Sequence, residues 1–394
     1  SFKICLEFNA SDLGFSLMNI FQRFQDVIDK RHDYARDWKA RTGGKAFGYM
    51  CIYAPQELIY AAGILPVRIL GSREPQDVAE SHIHQMYCPL CRDVLAQGLQ
   101  GKYDYLDGMV MAQTCLHMHQ AYSVWQIYRP LAYSYFLYMP SLVSHKSDEF
   151  FTAELNSFKE SLEKHLGSPI KPGALRHAME VYHTNRRLLR RIYELRKKEK
   201  PPISGTEAAQ MMHAGLLMDK EEHNKLLKEL YEDRAGKSAG SEDDVRLMLL
   251  GSENDDIEFI KLVEEQGAKI VIDDICTGSR NFWNNTTLQG DPLVDLANTY
   301  VNMPPCSIKN IGDRPGFKHT MELAGEYKVH GVIYAIQKFC DTYQFDFPAI
   351  QALFKEKNIP ILHLEFDGAL TVGQVKNRVE AFLEMLRVSS FEMV

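Results

Sequence analysis

The sequence predicts an α/β protein built from two doubly wound, parallel-sheet half-domains joined by helical segments. Three observations predict it. Short apolar runs of strand length alternate with longer stretches of helical period. The order of elements in the first part of the chain returns in the last part. Seven of the eight cysteines lie between Cys51 and Cys340, most of them just past an expected strand, where open α/β sheets bind their ligands.

The elements follow in order. Residues 15–42 carry a helical stripe of Leu17, Ile20, Phe21, Phe24, Val27 and Ile28, stopped by Gly43-Gly44. Residues 46–53 read as a buried strand, and 55–62 as a helix with proline in its first turn. Gly63 leads into a strand at 65–70. Cys88-Pro89-Leu90-Cys91 opens a helix that runs to about Leu99. A strand at 109–112 precedes Cys115, a helix spans 119–128, and a strand at 133–138 completes the series. Residues 148–235 read as helical throughout, with amphipathic stretches at 150–166 and 173–198 separated by Pro169 and Pro172. The stretch 236–244 (Gly-Lys-Ser-Ala-Gly-Ser-Glu-Asp-Asp) is the clearest linker.

Beyond it the pattern repeats. A strand at 245–250, a helix at 255–266 and a strand at 269–272 precede Cys276. A strand at 331–336 precedes Cys340, and a helix at 347–357 and a strand at 360–365 close the unit. The expected division is 1–45 (N-terminal helix), 46–147 (first half-domain), 148–240 (helical segment and linker) and 241–394 (second half-domain).

Bulk composition narrows the function classes. The 394 residues allow more than one hydrophobic core. A net charge of −7 gives no nucleic-acid footprint. No apolar run reaches the roughly 18 residues of a membrane span. Glu7 and Asp12 interrupt any apolar region near the start, so no secretory signal is read there. A cytoplasmic protein is expected, and in such a chain eight cysteines point to metal binding, catalysis or inert burial more than to disulfides. There is no Walker loop and no Gly-x-Gly-x-x-Gly, so no nucleotide is expected on this chain.

Cys51, Cys88, Cys91, Cys115, Cys276 and Cys340 all lie near strand ends or the turns after them, and Cys306 sits in a loop able to reach the same cleft. Thiolates converging from separate loops suggest a metal or iron–sulfur centre with an open side. Singly, each is equally a small buried hydrophobe. Cys88 and Cys91 at a helix start allow a second reading, a redox pair. A structural zinc site would need a second Cys or His pair at tight spacing, and none is visible. Asp341, Glu365 and Asp367 lie at the same edge, and His82, His84, His117 and His119 flank cysteine segments. His82, His117, Asp341 and Glu365 are the candidates for moving protons. The basic run 186–200 reads as a solvated helix face, with CoA phosphates as the alternative.

In these segments the chain resembles the 2-hydroxyacyl-CoA dehydratase and benzoyl-CoA reductase family. The resemblance rests on Gly48-Tyr49-Met50-Cys51-Ile52-Tyr53-Ala54-Pro55, on Cys88-Pro89-Leu90-Cys91-Arg92, and on Gly331-Val332-Ile333 with Lys338-Phe339-Cys340-Asp341. It continues through Ile359-Pro360-Ile361-Leu362-His363-Leu364-Glu365-Phe366-Asp367 and Arg378-Val379-Glu380-Ala381-Phe382. It implies two Rossmann-like domains with an iron–sulfur cluster in the cleft between them. It implies a homologous sister subunit or second copy, an acyl-CoA substrate, and an ATP-hydrolysing activator with its own [4Fe-4S] cluster that supplies single electrons. Cys51, Cys88 and Cys340 match the family's main cluster positions, and Cys91 departs from them. A double-cubane [8Fe-9S] cluster would take Cys51, Cys88, Cys115, Cys276, Cys306 and Cys340. That surplus of cysteines over a single [4Fe-4S] favours a benzoyl-CoA reductase subunit. The alternatives are a radical (R)-2-hydroxyacyl-CoA dehydratase subunit, or a double-cubane reductase of other small substrates.

Overall fold

The structure, a computed structural model, describes residues 19–391 apart from 73, 240–243, 285–287 and 368–371. Leu17, Cys5 and the acidic residues near the start lie outside the described residues, as does the middle of the expected linker. Eight strands are present among the described residues: β1 (Lys45–Tyr49), β2 (Ile64–Arg68), β3 (Gly108–Ala112), β4 (Tyr133–Leu137), β5 (Val245–Gly251), β6 (Ala268–Asp274), β7 (Gly331–Gln337) and β8 (Ile361–Phe366). They form two four-stranded sheets ordered β2-β1-β3-β4 and β6-β5-β7-β8. Every pairing is parallel. The repeat seen in the sequence is therefore a repeat of topology. Phe47 lies opposite Gly108 in one sheet, and Leu247 opposite Gly331 in the other.

Both sheets are covered by helices on both faces, which is why their strands are apolar without strict alternation. In the first sheet, Leu65, Val67, Met109 and Met111 pack toward the helices Pro89–Leu99 and Leu116–Tyr128. Phe47, Tyr49, Val110 and Leu137 pack the other way, toward the long helices His145–Leu166 and Pro172–Leu195. In the second sheet, Met248, Leu250, Val332 and Tyr334 share a core with helices Gly205–Leu217 and Asp341–Glu356. Leu247, Leu249, Ile333 and Ala335 share one with Ile257–Glu265 and Val372–Phe391. In each sheet the central strand turns first to one neighbour and then to the other. The β1/β3 and β5/β7 gaps are thus the switch points at which such sheets form a crevice.

Several expected elements shift, and two of the shifts matter for the site. The helix expected from 119 begins at Leu116. The helix expected from 347 begins at Asp341, with Pro348 inside it rather than in its first turn. Pro348 removes one backbone donor within the helix. Of the stretch 15–42, the described residues form two helices, Ile20–Asp29 and Arg31–Thr42, broken at Lys30. The helices Pro292–Val301 and Pro315–Glu326 were not expected. Asp291 caps the first of them, directly before Pro292, and that pair was the available signal.

Chain order does not follow core order. Leu296, Ala297, Tyr300 and Cys306 come after the linker, yet they pack into the core of the first sheet. Helix Gly205–Leu217 contributes Met211 and Met212 to one unit and Leu216 and Leu217 to the other. Among the described residues no helix is long and apolar enough to cross a membrane.

Gly251 ends β5 with φ of +141°, and a Cβ there would overlap the carbonyl oxygen of Ala335 on β7. Only glycine allows this approach. Gly251→Ala is expected to destabilise the fold by more than about 1 kcal/mol, measured as a lower denaturation midpoint with an unchanged m-value.

Candidate functional site

The seven cysteines of the described residues line one cavity. Cys51, Cys88, Cys91, Cys115, Cys276, Cys306 and Cys340 share its wall with Arg68, Glu253 and Tyr343. The cavity has about 660 Å³ of atom-free space, part of it open to solvent. All seven are free thiols.

The backbone explains how they meet. Cys51 lies two residues past β1, in a turn where its carbonyl accepts from the N–H of Ala54 at 3.1 Å. Cys276 lies two residues past β6. Cys88, Cys115 and Cys340 are each the N-cap residue of a helix: Pro89–Leu99, Leu116–Tyr128 and Asp341–Glu356. Their side chains make no capping bond, so the sulfurs stay available beside helix N-termini, where negative charge is favoured. Cys306 caps a short 3-10 turn, and its N–H donates to the Tyr53 hydroxyl at 3.2 Å. Cys340 follows Phe339, which holds φ of +61°. A bulky residue in the left-handed region stores roughly 1–3 kcal/mol, a strain typical of functional turns.

The thiols fall into two groups. Cys91 is fully buried, with its sulfur 3.2 Å from that of Cys88 and hydrogen-bonded to Cys115 as well. Hydrogen bonding within this trio holds Cys88 and Cys115 below the ordinary thiol range, against the opposing effect of burial. Burial pushes Cys91 itself well up. Cys340 belongs with these three: burial pushes it up to about 12, and the charges of Cys88 and Cys115 add to that. Cys51, Cys276 and Cys306 form the second group. Burial pushes Cys51 up to about 12 and Cys276 well above its usual value, and in both cases the neighbouring Cys306 adds to the shift.

The wall carries charge. Arg68, at the end of β2, is 1% exposed and pairs with Glu253 at 2.6 Å. Burial holds Glu253 up at about 7 despite that arginine. Arg280 pairs with Asp274 at 2.7 Å, close to Cys276 and Cys306. Lys309 donates to the carbonyl of Met139 at 3.0 Å and lies within electrostatic reach of Cys306 and Cys51. Of these, only Arg68 and Glu253 line the cavity; Arg280 and Lys309 act on its thiols by charge from outside the lining.

Among the described residues no three His, Cys, Asp or Glu side chains converge tightly enough for a single metal ion. Soft thiols spread around a cavity suit a polynuclear thiophilic group better than one ion. Among the described residues, Arg68 Nε and Nη1, Glu253 Oε1 and the Tyr343 hydroxyl are buried without a hydrogen-bond partner, as expected of a wall that faces a polar group.

The proton-moving candidates divide. His117 is at the site: its Nδ1 accepts from the Cys88 N–H at 3.1 Å. The Cys88 side chain holds its pKa up, and the charge of Asp341 acts in the same direction. Asp341 opens the Cys340 helix and is exposed. His82 packs edge-on against Tyr128 with centroids 4.2 Å apart, and Glu365 accepts from Gln344 at 3.0 Å on the surface. None of His82, His117, Asp341 and Glu365 lines the cavity itself; His117 reaches it through the Cys88 backbone. Asp367 is taken up by Lys338 and Arg92. In the basic run, Arg190 donates to the carbonyls of Phe282 and Asn284, and Arg186 pairs with Glu57. These partners absorb much of the charge offered to CoA phosphates. Sequence reasoning missed Arg68 and Glu253. The signal was a charged residue closing an otherwise apolar buried strand, and a carboxylate two residues past another.

Comparison with known proteins follows the same lines. A family model described as "2-hydroxyglutaryl-CoA dehydratase, D-component" matches residues 51–386. The chain is 30% identical over 352 residues to a benzoyl-CoA reductase subunit of Thauera aromatica, covering 87% of this chain and 90% of that one. It is 28% identical to the (R)-phenyllactyl-CoA dehydratase beta subunit of Clostridium sporogenes, covering 93% and 98%. It is 26% identical to the beta subunit of (R)-2-hydroxyglutaryl-CoA dehydratase from Acidaminococcus fermentans, covering 93% and 99%. Two parallel sheets that gather their strand-end cysteines into one cavity, together with these matches over most of the chain, make it a member of the 2-hydroxyglutaryl-CoA dehydratase D-component family.

Proposed function

We propose that this chain is the iron–sulfur subunit of an ATP-dependent reductase of the benzoyl-CoA reductase kind, acting on a conjugated acyl-CoA thioester. The observation that carries the reading is the division of the cavity's thiols. Cys88, Cys115 and Cys340 would hold one half of a double-cubane [8Fe-9S] cluster, and Cys51, Cys276 and Cys306 the other. Cys91, wedged between Cys88 and Cys115, remains a hydrogen-bonding thiol. Bound there, such a cluster supplies single electrons at low potential.

The chain's own residues do the rest. Helix N-termini and the buried Arg68, Arg280 and Lys309 offset the negative charge of the thiolates. His117, whose Nδ1 accepts from the Cys88 N–H, would carry its proton on Nε2, where a proton can accompany an electron. The relatives named above are subunits of larger enzymes with acyl-CoA names. That supports a homologous sister subunit for this chain and an acyl-CoA substrate. The electrons would come from a separate ATP-hydrolysing activator with its own [4Fe-4S] cluster.

A second reading has support of its own. Two of the relatives are dehydratase subunits at nearly the same identity, and the helix-capping group alone would hold one [4Fe-4S]. Iron and acid-labile sulfide per chain, with EPR of the reduced protein purified without oxygen, separate the two. About eight irons per chain are expected for the reductase reading and about four for the dehydratase reading. A complex without iron and sulfide would overturn both.

A further inference from the structure

We propose that Arg68 is a positioning residue of the sulfur centre: its fixed charge and its unpartnered N–H groups serve the half held by Cys51, Cys276 and Cys306, and Glu253 tethers it there. This rests on the iron–sulfur reading above.

The argument begins with what Arg68 leaves undone. It closes β2, whose other residues are Ile64, Leu65, Pro66 and Val67. Among the described residues only its Nη2 has a hydrogen-bond partner, Glu253 Oε2 at 2.6 Å, while Nε and Nη1 are buried with none. A guanidinium presents its donors in a rigid fork and does not lose its proton. An arginine present only to join the ends of β2 and β5 would be expected to spend that fork on carbonyls. Arg246 does so, donating to the carbonyls of Tyr327, Lys198 and Arg196. Arg68 instead lines the cysteine cavity, as does Glu253. Its charge is felt by Cys51 and Cys276, and its guanidinium lies 5.6 Å from the centroid of the Tyr49 ring. Thiolate and sulfide sulfurs are the acceptors this cavity would offer.

The two halves of the thiol set therefore differ in kind. Helix N-termini and the His117 ring serve Cys88, Cys115 and Cys340. A non-titrating cation serves Cys51, Cys276 and Cys306. Charge next to a cluster, and hydrogen bonds to its sulfurs, set its reduction potential.

The test uses the complete complex, purified without oxygen, with Arg68→Gln and Arg68→Lys. Iron and sulfide are counted, unfolding is followed, and the midpoint potential is read by EPR-monitored titration. The expected result is an iron-loaded Arg68→Gln protein with a more negative potential at every pH tested and an altered EPR signal. Arg68→Lys, with its charge kept and its fork lost, should shift in the same direction by less. Native potential and spectrum in iron-loaded Arg68→Gln would overturn the proposal. If Arg68→Gln does not fold, the same two readouts on Arg68→Lys decide. Failure of the iron–sulfur reading itself is distinguishable, because it shows as missing iron in the unaltered complex.

Discussion

Replacing any one of Cys51, Cys88, Cys115, Cys276, Cys306 or Cys340 with serine is expected to strip iron and sulfide from the purified complex and to lower turnover more than about a hundredfold. Loss of residues that merely orient a metal ligand costs roughly 10–100-fold, so loss of a ligand should exceed that. Cys91→Ala is expected to behave differently. Its thiol lies 3.2 Å from Cys88 and is hydrogen-bonded to Cys115. Removing it should leave iron content near native. Iron and sulfide per chain check the whole series. Iron retained in Cys276→Ser and Cys306→Ser, but lost in Cys88→Ser and Cys340→Ser, would move the assignment to a single [4Fe-4S] and the dehydratase reading. Iron lost from Cys91→Ala but retained in Cys88→Ser would exchange the roles of that pair.

The second large effect is on stability. Arg186→Met is expected to cost about 3–5 kcal/mol, the usual penalty for leaving a buried charge without its partner. Glu57 is fully buried on the helix Gln56–Ala61 and pairs with Arg186 on Pro172–Leu195. Tyr300 on Pro292–Val301 donates to the other oxygen of Glu57 at 2.7 Å, and also to the carbonyl of Ala54 at 3.1 Å. Three helices from distant parts of the chain thus close over the turn that follows Cys51. Arg186→Met combined with Glu57→Leu is expected to recover most of the loss, because removing both charges also removes the desolvation penalty. Denaturant melts of the single and double variants measure this. A loss under about 1 kcal/mol in the single variant would show that Glu57 is not an unpaired buried charge once Arg186 is gone.

The order of residues alone dictates the repeated strand–helix pattern and, through it, the places where the cysteines fall. Both are local properties. Apolar period distinguishes strand from helix, and a residue's distance past a strand is counted along the chain. That was enough to foresee Cys115, Cys276 and Cys340 on one edge; Cys51 joins them because β1 ends at Tyr49, short of the expected 53. Packing settled how they are grouped and what surrounds them. Cys115 and Cys340 became helix caps only because their helices start earlier than the period suggested, one of them running through Pro348. Arg68 meets Glu253 across 185 residues, and Tyr300 meets Glu57 across 243. Such pairs leave no periodic trace, since nothing in the sequence around either partner depends on the other. They form when two sheets and their helices pack, and burial then turns each unmet hydrogen bond or charge into a constraint on what the cavity can hold.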